Sequence, residues 1–279
     1  MVVRLLGLRF AYACAAPVAA YFSFVSPDIP ATIDYQRRVF GPQPRWKQRW
    51  FICKHFFAFG LMIIDRFAIL SGKARSYSFS FDGEQHLREA IAQGRGVVLL
   101  NAHFGNWEVG GKLLERTEAI VNIAGFDRES SSVRDMLDGA SQARFRYIKL
   151  AGSPTDVLPL LAALRRGEII AMLGDRAYGT PVTYVPFLGE PAPFPVGPYL
   201  LASLAGAPLL HVFSVREPGG HYRFIGFPPE HLTTPAHRDR PGFLSDCATR
   251  YAQRLEALVR RHPFQWYNFY PFWNPPPQS

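Results

Sequence analysis

A histidine and a glutamate lie five positions apart at the end of a predicted strand, and they are the strongest candidates for chemistry in this chain. His103 follows the apolar run GVVLLN at residues 96–101, and Glu108 lies about one turn into a predicted helix. A carboxylate there can approach one ring nitrogen of the imidazole and leave the other to take a proton from a substrate hydroxyl. The spacing alone leaves a second interpretation open, in which Glu108 only favours the start of the helix.

Polar groups at two strand ends are expected to surround this pair, because ligands of open α/β sheets gather at the carboxyl ends of strands. Backbone N–H groups near Gly105 and Asn106 are expected to hold a developing oxyanion, and Asn106 is a candidate substrate contact. Asp175 and Arg176 follow a second apolar run. Arg176 either binds a substrate phosphate or carboxylate or pairs with a neighbouring acid, and Asp175 is either a site residue or a cap for the next segment.

Other kinds of site are disfavoured by what the sequence lacks. The remaining histidines show no metal-ligand spacing near His103, so neither a metal nor another cofactor is predicted. No GxSxG sequence is present, which ranks a serine esterase last. The three cysteines form no CxxC pair and predict neither a disulfide framework nor a zinc site: Cys14, Cys53 and Cys247.

The residues from about Ser76 onward alternate between strand and helix patterns. Such alternation predicts an α/β fold with a largely parallel sheet flanked by helices. A domain at residues 73–273 is expected, followed by a loose proline-rich tail at 274–279. Strands are predicted at 96–101, 119–123, 147–150, 168–173, 182–186, 209–216 and 222–227, and helices at residues up to 143, at 154–166 and at 243–261.

The first 72 residues are predicted to form helices that associate with a membrane. Residues 5–25 are almost continuously apolar, and they can be a spanning helix, a helix lying in the interface or a cleaved signal. Residues 51–70 have apolar positions at helical spacing and predict an amphipathic helix. Basic and tryptophan residues precede it at 45–50, a composition typical of segments that rest on anionic lipid.

The chain carries 31 Lys and Arg against 22 Asp and Glu, a formal charge of +9. This balance favours an anionic membrane face or an acidic protein partner. Nucleic acid is disfavoured because the sequence contains no zinc-finger spacing and no RNA-binding aromatic motif.

The hexapeptide HFGNWE at residues 103–108 resembles the HxxxxD/E signature of glycerolipid acyltransferases, in the form typical of lipid A biosynthesis lauroyl/myristoyl acyltransferases. Residues 167–210 resemble the block of that family with a strand, an aspartate and a "vpFfG" turn. Residues 262–273, HPFQWYNFYPFW, resemble its QW-containing segment. Together the similar blocks cover about residues 76–273.

The resemblance implies an acyltransferase at the cytoplasmic face of the bacterial inner membrane. The donor would be acyl carrier protein or acyl-CoA, and the acceptor a hydroxyl of a lipid. By position, His103 is the general base, Glu108 its partner, and Asp175 the family's later aspartate. Arg128 is the nearest match to a family arginine expected at the substrate site. The sequence leaves a non-catalytic lipid-binding or scaffold protein open as the alternative.

Overall fold

The computed structural model describes residues 7–114, 117–126, 144–177, 179–233 and 235–273. It begins with three helices: α1 (Gly7–Val25), α2 (Ile29–Phe40) and α3 (Arg45–Ala68). Among the described residues, α1 is the helix long and apolar enough to cross a bilayer, by length and composition only. Its large apolar residues face outward, and it packs on α3 through small buried residues at a spacing of four: Ala11, Ala15, Ala19 and Ser23.

A buried aspartate on α3 joins these helices to the rest of the protein. Asp65 is fully buried and accepts hydrogen bonds from the Nε of Arg216 (2.6 Å) and the hydroxyl groups of Tyr77 (3.0 Å) and Tyr222 (2.5 Å). The Tyr12 hydroxyl on α1 also donates to Asp65. A buried carboxylate needs several donors of this kind to offset its desolvation. The N-terminal helices therefore pack directly on the strands and helices that follow them in the chain.

The centre of the molecule is a seven-stranded sheet. Its strands are β1 (Ser78–Asp82), β2 (Val97–Asn101), β3 (Val121–Phe126), β4 (Phe145–Leu150), β5 (Ile169–Leu173), β8 (Leu209–Glu217) and β9 (His221–Gly226). They lie in the order β1-β9-β8-β2-β5-β3-β4. All neighbouring strands are parallel except β8 and β9, which form an antiparallel pair. The prediction of a largely parallel sheet is confirmed.

A separate antiparallel hairpin is formed by β6 (Val182–Phe187) and β7 (Glu190–Pro195). The strand predicted at 182–186 is confirmed, whereas its partner β7 was not predicted. Its sequence, EPAPFP, has proline at alternate positions, and proline argues against a strand inside a sheet because it cannot donate to a ladder. In a two-stranded hairpin these prolines lie on an edge.

Helices cover both faces of the sheet. On one face α4 (Glu84–Ala92) packs Leu87 and Ala90 against Leu99 and Ile123. The opposite face is covered mainly by α8 (Arg240–Arg261), an amphipathic helix whose buried residues recur three and four positions apart. The predicted helix ending near residue 143 and the tail at 274–279 lie outside the described residues. The other helices after β2 are α5 (Gly111–Leu114), α6 (Val157–Arg165) and α7 (Gly197–Ala205).

Candidate active site

The two strand ends singled out in the sequence meet at the middle of the sheet. β2 and β5 are parallel neighbours, and their last residues, Asn101 and Leu173, are paired in register. His103 and Asp175 each lie two residues beyond those ends. Nδ1 of His103 is 2.9 Å from Oδ1 of Asp175. The second strand end therefore supplies a carboxylate that contacts this imidazole.

The Asp175 carboxylate is fully buried and accepts three hydrogen bonds. Besides the imidazole, the backbone N–H of His103 and the indole N–H of Trp266 donate to Oδ2, each at 2.9 Å. Burial by itself raises the pKa of Asp175, but the charge and hydrogen bond of His103, the Arg176 charge and the Trp266 bond together lower it below its usual value. Asp175 is therefore held as an anion against the ring of His103.

This contact fixes which nitrogen of His103 can act as a base. When Nδ1–H donates to a carboxylate, Nε2 carries the lone pair that can accept a proton. The side chain is 13% exposed, so the ring borders solvent while Asp175 behind it does not. The arrangement is the base-and-orienter half of a catalytic triad, with the attacking hydroxyl left for a substrate to supply.

Glu108 lies in a 3₁₀ turn, Trp107–Gly110, and is paired with an arginine from α3. Oε2 of Glu108 is 2.9 Å from a guanidinium nitrogen of Arg66, and both side chains are largely buried. The pair connects the turn after His103 to the N-terminal helices. Direct orientation of the imidazole by Glu108 stays a prediction.

The expectation that N–H groups near Gly105 and Asn106 hold an oxyanion is wrong for this structure. The N–H of Gly105 donates to the Gln265 carbonyl (2.8 Å), and the N–H of Asn106 donates to Oγ of Ser214 (2.6 Å). Both donors are used inside the protein because the chain does not enter a regular helix at this point. Gly105 has a φ of +62°, which turns the backbone toward β8 instead.

The other predicted substrate contacts have different surroundings. Asn106 is 1% exposed, and its side-chain amide donates to the Met62 carbonyl (3.3 Å), which favours a structural role. Arg176 donates to the Tyr267 carbonyl (3.2 Å), and its guanidinium carbon lies 5.4 Å from the ring centroid of Tyr270. Arg128 lies outside the described residues.

The segment at 265–267 contacts the site closely, and sequence reasoning gave it no role. The Tyr267 N–H donates to the His103 carbonyl (2.8 Å), and Phe104 and Trp266 form an antiparallel bridge. Trp266 is 91 positions from Asp175, and no local pattern links them. The similarity of HPFQWYNFYPFW to the family's QW segment was the one signal that could have indicated its importance.

An apolar cavity lies beside the strand end that carries His103. It takes up about 560 Å³, including the part open to solvent, and its lining includes the amide side chain of Asn101. Asn101 and Trp107, which flank His103 in sequence, also line a smaller cavity at the ends of β3 and β5. The described residues contain no group of three or more His, Cys, Asp or Glu able to hold a metal ion. The larger cavity is lined by side chains that include Leu87, Leu99, Val121, Ile123, Val212 and Phe224.

Comparison with known proteins identifies relatives along most of the chain. Residues 1–274 match the sequence model of the family described as bacterial lipid A biosynthesis acyltransferase. Over 202 residues the chain is 29% identical to a phosphatidylinositol mannoside acyltransferase from Mycobacterium tuberculosis, covering 72% of this chain and 61% of that protein. Over 151 residues it is 30% identical to a lipid A biosynthesis lauroyltransferase from Escherichia coli K12, covering 53% of this chain and 48% of that protein.

These alignments span about half to three fifths of the length of the two relatives. Among solved structures, a 1-acyl-sn-glycerophosphate acyltransferase from Thermotoga maritima covers 90% of this chain and 100% of its own, with 12% identity and a TM-score of 0.39. A likeness at that score carries no weight for fold or function.

Proposed function

The chain belongs to the bacterial lipid A biosynthesis acyltransferase family, and from this premise we propose that it transfers a fatty acyl group from a thioester donor to a hydroxyl of a membrane lipid. The observation that carries the proposal is the 2.9 Å contact between His103 and Asp175 at the paired ends of β2 and β5. A fixed imidazole suits direct transfer between two substrates, because the acceptor hydroxyl can itself be the nucleophile. His103, which the sequence singled out as the general base, keeps that role.

The proposed reaction begins when Nε2 of His103 takes the proton of the acceptor hydroxyl. The alcohol oxygen attacks the thioester carbonyl carbon, and a new C–O bond forms. The C–S bond then breaks, and the departing thiolate takes the proton from the imidazolium. The Asp175 carboxylate stabilises the imidazolium in between. General acid–base help of this kind supplies a factor of about 10²–10⁴, and alignment of the two substrates supplies much of the rest.

Glu108 has a supporting part in this proposal. Its ion pair with Arg66 holds α3 against the turn that carries His103, while Asp175 orients the ring. Arg176 stays a proposed contact for a phosphate or carboxylate of a substrate, because it directly follows Asp175 in the chain and its charge acts on that carboxylate. Arg128 is proposed for the same role from sequence alone.

The apolar cavity is proposed to take the acyl chain. Its lining is almost entirely hydrocarbon, and its residues reach the strand end next to His103. Burying each methylene of an acyl chain in such a space contributes about 0.8 kcal/mol. The family relatives are named for lipid A and for phosphatidylinositol mannoside, so a glycolipid hydroxyl is the proposed acceptor.

The protein is proposed to work at the cytoplasmic face of the bacterial inner membrane. Tyr21, Phe24, Trp46 and Trp50 are exposed aromatic residues of α1 and α3. Basic side chains lie over the rings of Phe24, Trp46 and Trp50. The amino group of Lys47 lies 5.5 Å from the ring centroid of Trp46. Aromatic and basic residues together suit an interface with anionic lipid. The formal charge of +9 also suits an acidic carrier protein as donor.

The test is transfer by the purified full-length protein, supplied with labelled acyl carrier protein or acyl-CoA and a bacterial lipid extract. Mass spectrometry of the products should show one lipid class gaining an acyl group, with the carrier thiol released in equal amount. Release of free fatty acid would indicate a hydrolase instead. Lipid binding with neither product would indicate the non-catalytic alternative.

A further inference from the structure

The segment Gln265–Trp266–Tyr267 contacts the candidate site through its backbone and through the side chains of Gln265 and Trp266. Its backbone pairs with the turn after β2. The Tyr267 N–H donates to the His103 carbonyl and the Gly105 N–H donates to the Gln265 carbonyl, both at 2.8 Å. Its central side chain, the Trp266 indole, donates to Asp175 at 2.9 Å. The carboxamide of Gln265 exchanges two 2.8 Å hydrogen bonds with the backbone of Arg216 on β8.

The Trp266 indole N–H donates to the same carboxylate oxygen of Asp175 that accepts the backbone N–H of His103. Oδ2 of Asp175 receives both the His103 backbone N–H and the Trp266 indole N–H, while Oδ1 faces the imidazole. A carboxylate with Oδ2 held by two donors cannot rotate without breaking them. The direction of Oδ1, and with it the plane of the imidazole, is therefore set partly by Trp266.

The indole is itself held rigidly. Trp266 is 1% exposed and packs edge-on against Tyr35, Phe187 and Phe272, with ring centroids 5.2–5.3 Å apart. Its backbone carbonyl lies 2.9 Å from Nε2 of the buried His55. A side chain that is enclosed in this way contacts no substrate, so any effect on catalysis must pass through Asp175.

We propose that Trp266 is a positioning residue, whose indole N–H fixes the Asp175 carboxylate so that the carboxylate fixes the ring of His103. This inference rests on the proposed function for its catalytic meaning, although the placement of His103 can be measured without turnover. The C-terminal segment thus completes a site whose reacting base comes from the first half of the chain.

The direct test replaces the indole with a ring that lacks the donor, Trp266→Phe. The matched control is Trp273→Phe, because Trp273 is also buried, packs 6.2 Å from the Trp266 ring, and donates to the Phe187 carbonyl instead of Asp175. Loss of the hydrogen-bond partner behind a metal-ligating side chain typically costs about 10- to 100-fold, and we take the same scale for the partner behind a general base. We expect a fall of that size in kcat with an unchanged acceptor KM for Trp266→Phe, and a change below about two-fold for the control.

A double-mutant comparison separates positioning from a general loss of packing. In an Asp175→Ala background Trp266 has no carboxylate to hold, so adding Trp266→Phe should cost almost nothing further. Full additivity of the two losses would overturn the inference, and so would equal kcat values for wild type and Trp266→Phe.

A spectroscopic measurement keeps the inference testable if transfer is never observed. In protein labelled with ¹⁵N-histidine, the Nδ1–H signal of His103 is assigned by its loss in His103→Ala. We expect Trp266→Phe to move or broaden this signal and Trp273→Phe to leave it unchanged. If Trp266→Phe does not fold, benzothienylalanine at position 266, which replaces the ring N–H with sulfur, gives the same comparison. An unmoved signal would contradict the inference even when the proposed function holds, whereas a moved signal without transfer would leave the positioning intact and reject the function.

Discussion

The carboxylate of Asp175 lies 2.9 Å from the imidazole of His103, although 72 positions separate the two residues in sequence. The contact depends on the parallel pairing of β2 with β5, which brings the two strand ends together. It joins a fully buried anion to a partly exposed ring. The buried carboxylate can therefore orient and stabilise the imidazole, while the exposed part of the ring can meet a substrate.

Removing the charge of Asp175 should reduce turnover far more than substrate affinity. Asp175→Asn keeps the size of the side chain but no longer stabilises an imidazolium. We expect kcat to fall by about 10²–10⁴-fold, with little change in acceptor KM, measured as initial rates of acyl transfer. A variant with kcat near that of wild type would show that the contact is structural.

The ion pair between Glu108 and Arg66 should matter for stability as well as for activity. Glu108→Gln removes a partner of a largely buried charge, and we expect the free energy of unfolding to fall by roughly 3 kcal/mol. Glu108→Ala should be nearly as damaging, because the charge matters more than the shape.

Combining Glu108→Gln with Arg66→Gln should recover part of the lost stability, since neither charge is then left without this partner. Denaturant titration measures all three variants. Two results together would show that Glu108 acts on His103 directly rather than through Arg66. The loss of unfolding free energy in the double variant would equal the sum of the two single losses, and transfer activity would fall in the Glu108 variant but not in the Arg66 variant.

The turn after His103 should tolerate no side chain at Gly105. A Cβ there would lie 2.0 Å from the Ser214 carbonyl oxygen, at a φ of +62°. Gly94 has a similar φ of +68° but nothing within 4 Å of the added atom, so it is the matched control. We expect Gly94→Ala to cost about 1–2 kcal/mol in unfolding free energy and Gly105→Ala more than about 3 kcal/mol, with loss of transfer. Equal costs would show that the turn can adjust.

Buried His55 should make the protein less stable in mild acid. Burial lowers the pKa of His55 to about 4, and the hydrogen bond to the Trp266 carbonyl offsets only part of this effect. Between about pH 6.5 and 4 the unfolded chain therefore binds a proton that the folded protein does not, so the free energy of unfolding falls as the pH falls.

Between pH 6.5 and 4 the expected loss from His55 is on the order of 3 kcal/mol, of which about 2 kcal/mol falls above pH 5. Burial also lowers the pKa of His211 and of His262, so these residues add to the slope of the wild-type protein. The contribution of His55 is the difference between wild type and His55→Phe, measured by denaturant titration at pH 7 and pH 5. An equal fall in the free energy of unfolding of the two proteins between pH 7 and pH 5 would contradict the prediction for His55.

Seven of the nine strands in the described residues, the largely parallel sheet and the candidate residues at two strand ends could be predicted from the sequence, whereas β1 and β7 were not predicted. Buried parallel strands are continuous apolar runs, and the polar residues directly after them stand out. The contact between His103 and Asp175 could not be predicted from the residues alone, because it requires β5 to be the neighbour of β2. Local sequence does not specify which strands are adjacent.

The role of Trp266 and the hydrogen bonds of the turn at Gly105 could not be predicted from the sequence for a similar reason. An aromatic residue near the C-terminus looks like any core residue until its indole is seen to donate to Asp175. In the sequence, Gly105 and Asn106 resemble the start of a helix with free N–H groups. In the structure these N–H groups donate to the Gln265 carbonyl and to Oγ of Ser214. Both features are set by tertiary pairing between distant segments.

The most direct measurement is acyl transfer by purified His103→Ala beside wild type, with labelled acyl carrier protein as donor and the acceptor lipid identified by mass spectrometry. Wild type should transfer the label to lipid, and His103→Ala should be at least about 10²-fold slower while keeping its fold by circular dichroism and its affinity for the donor. Transfer at the wild-type rate by His103→Ala would contradict the assignment of the general base.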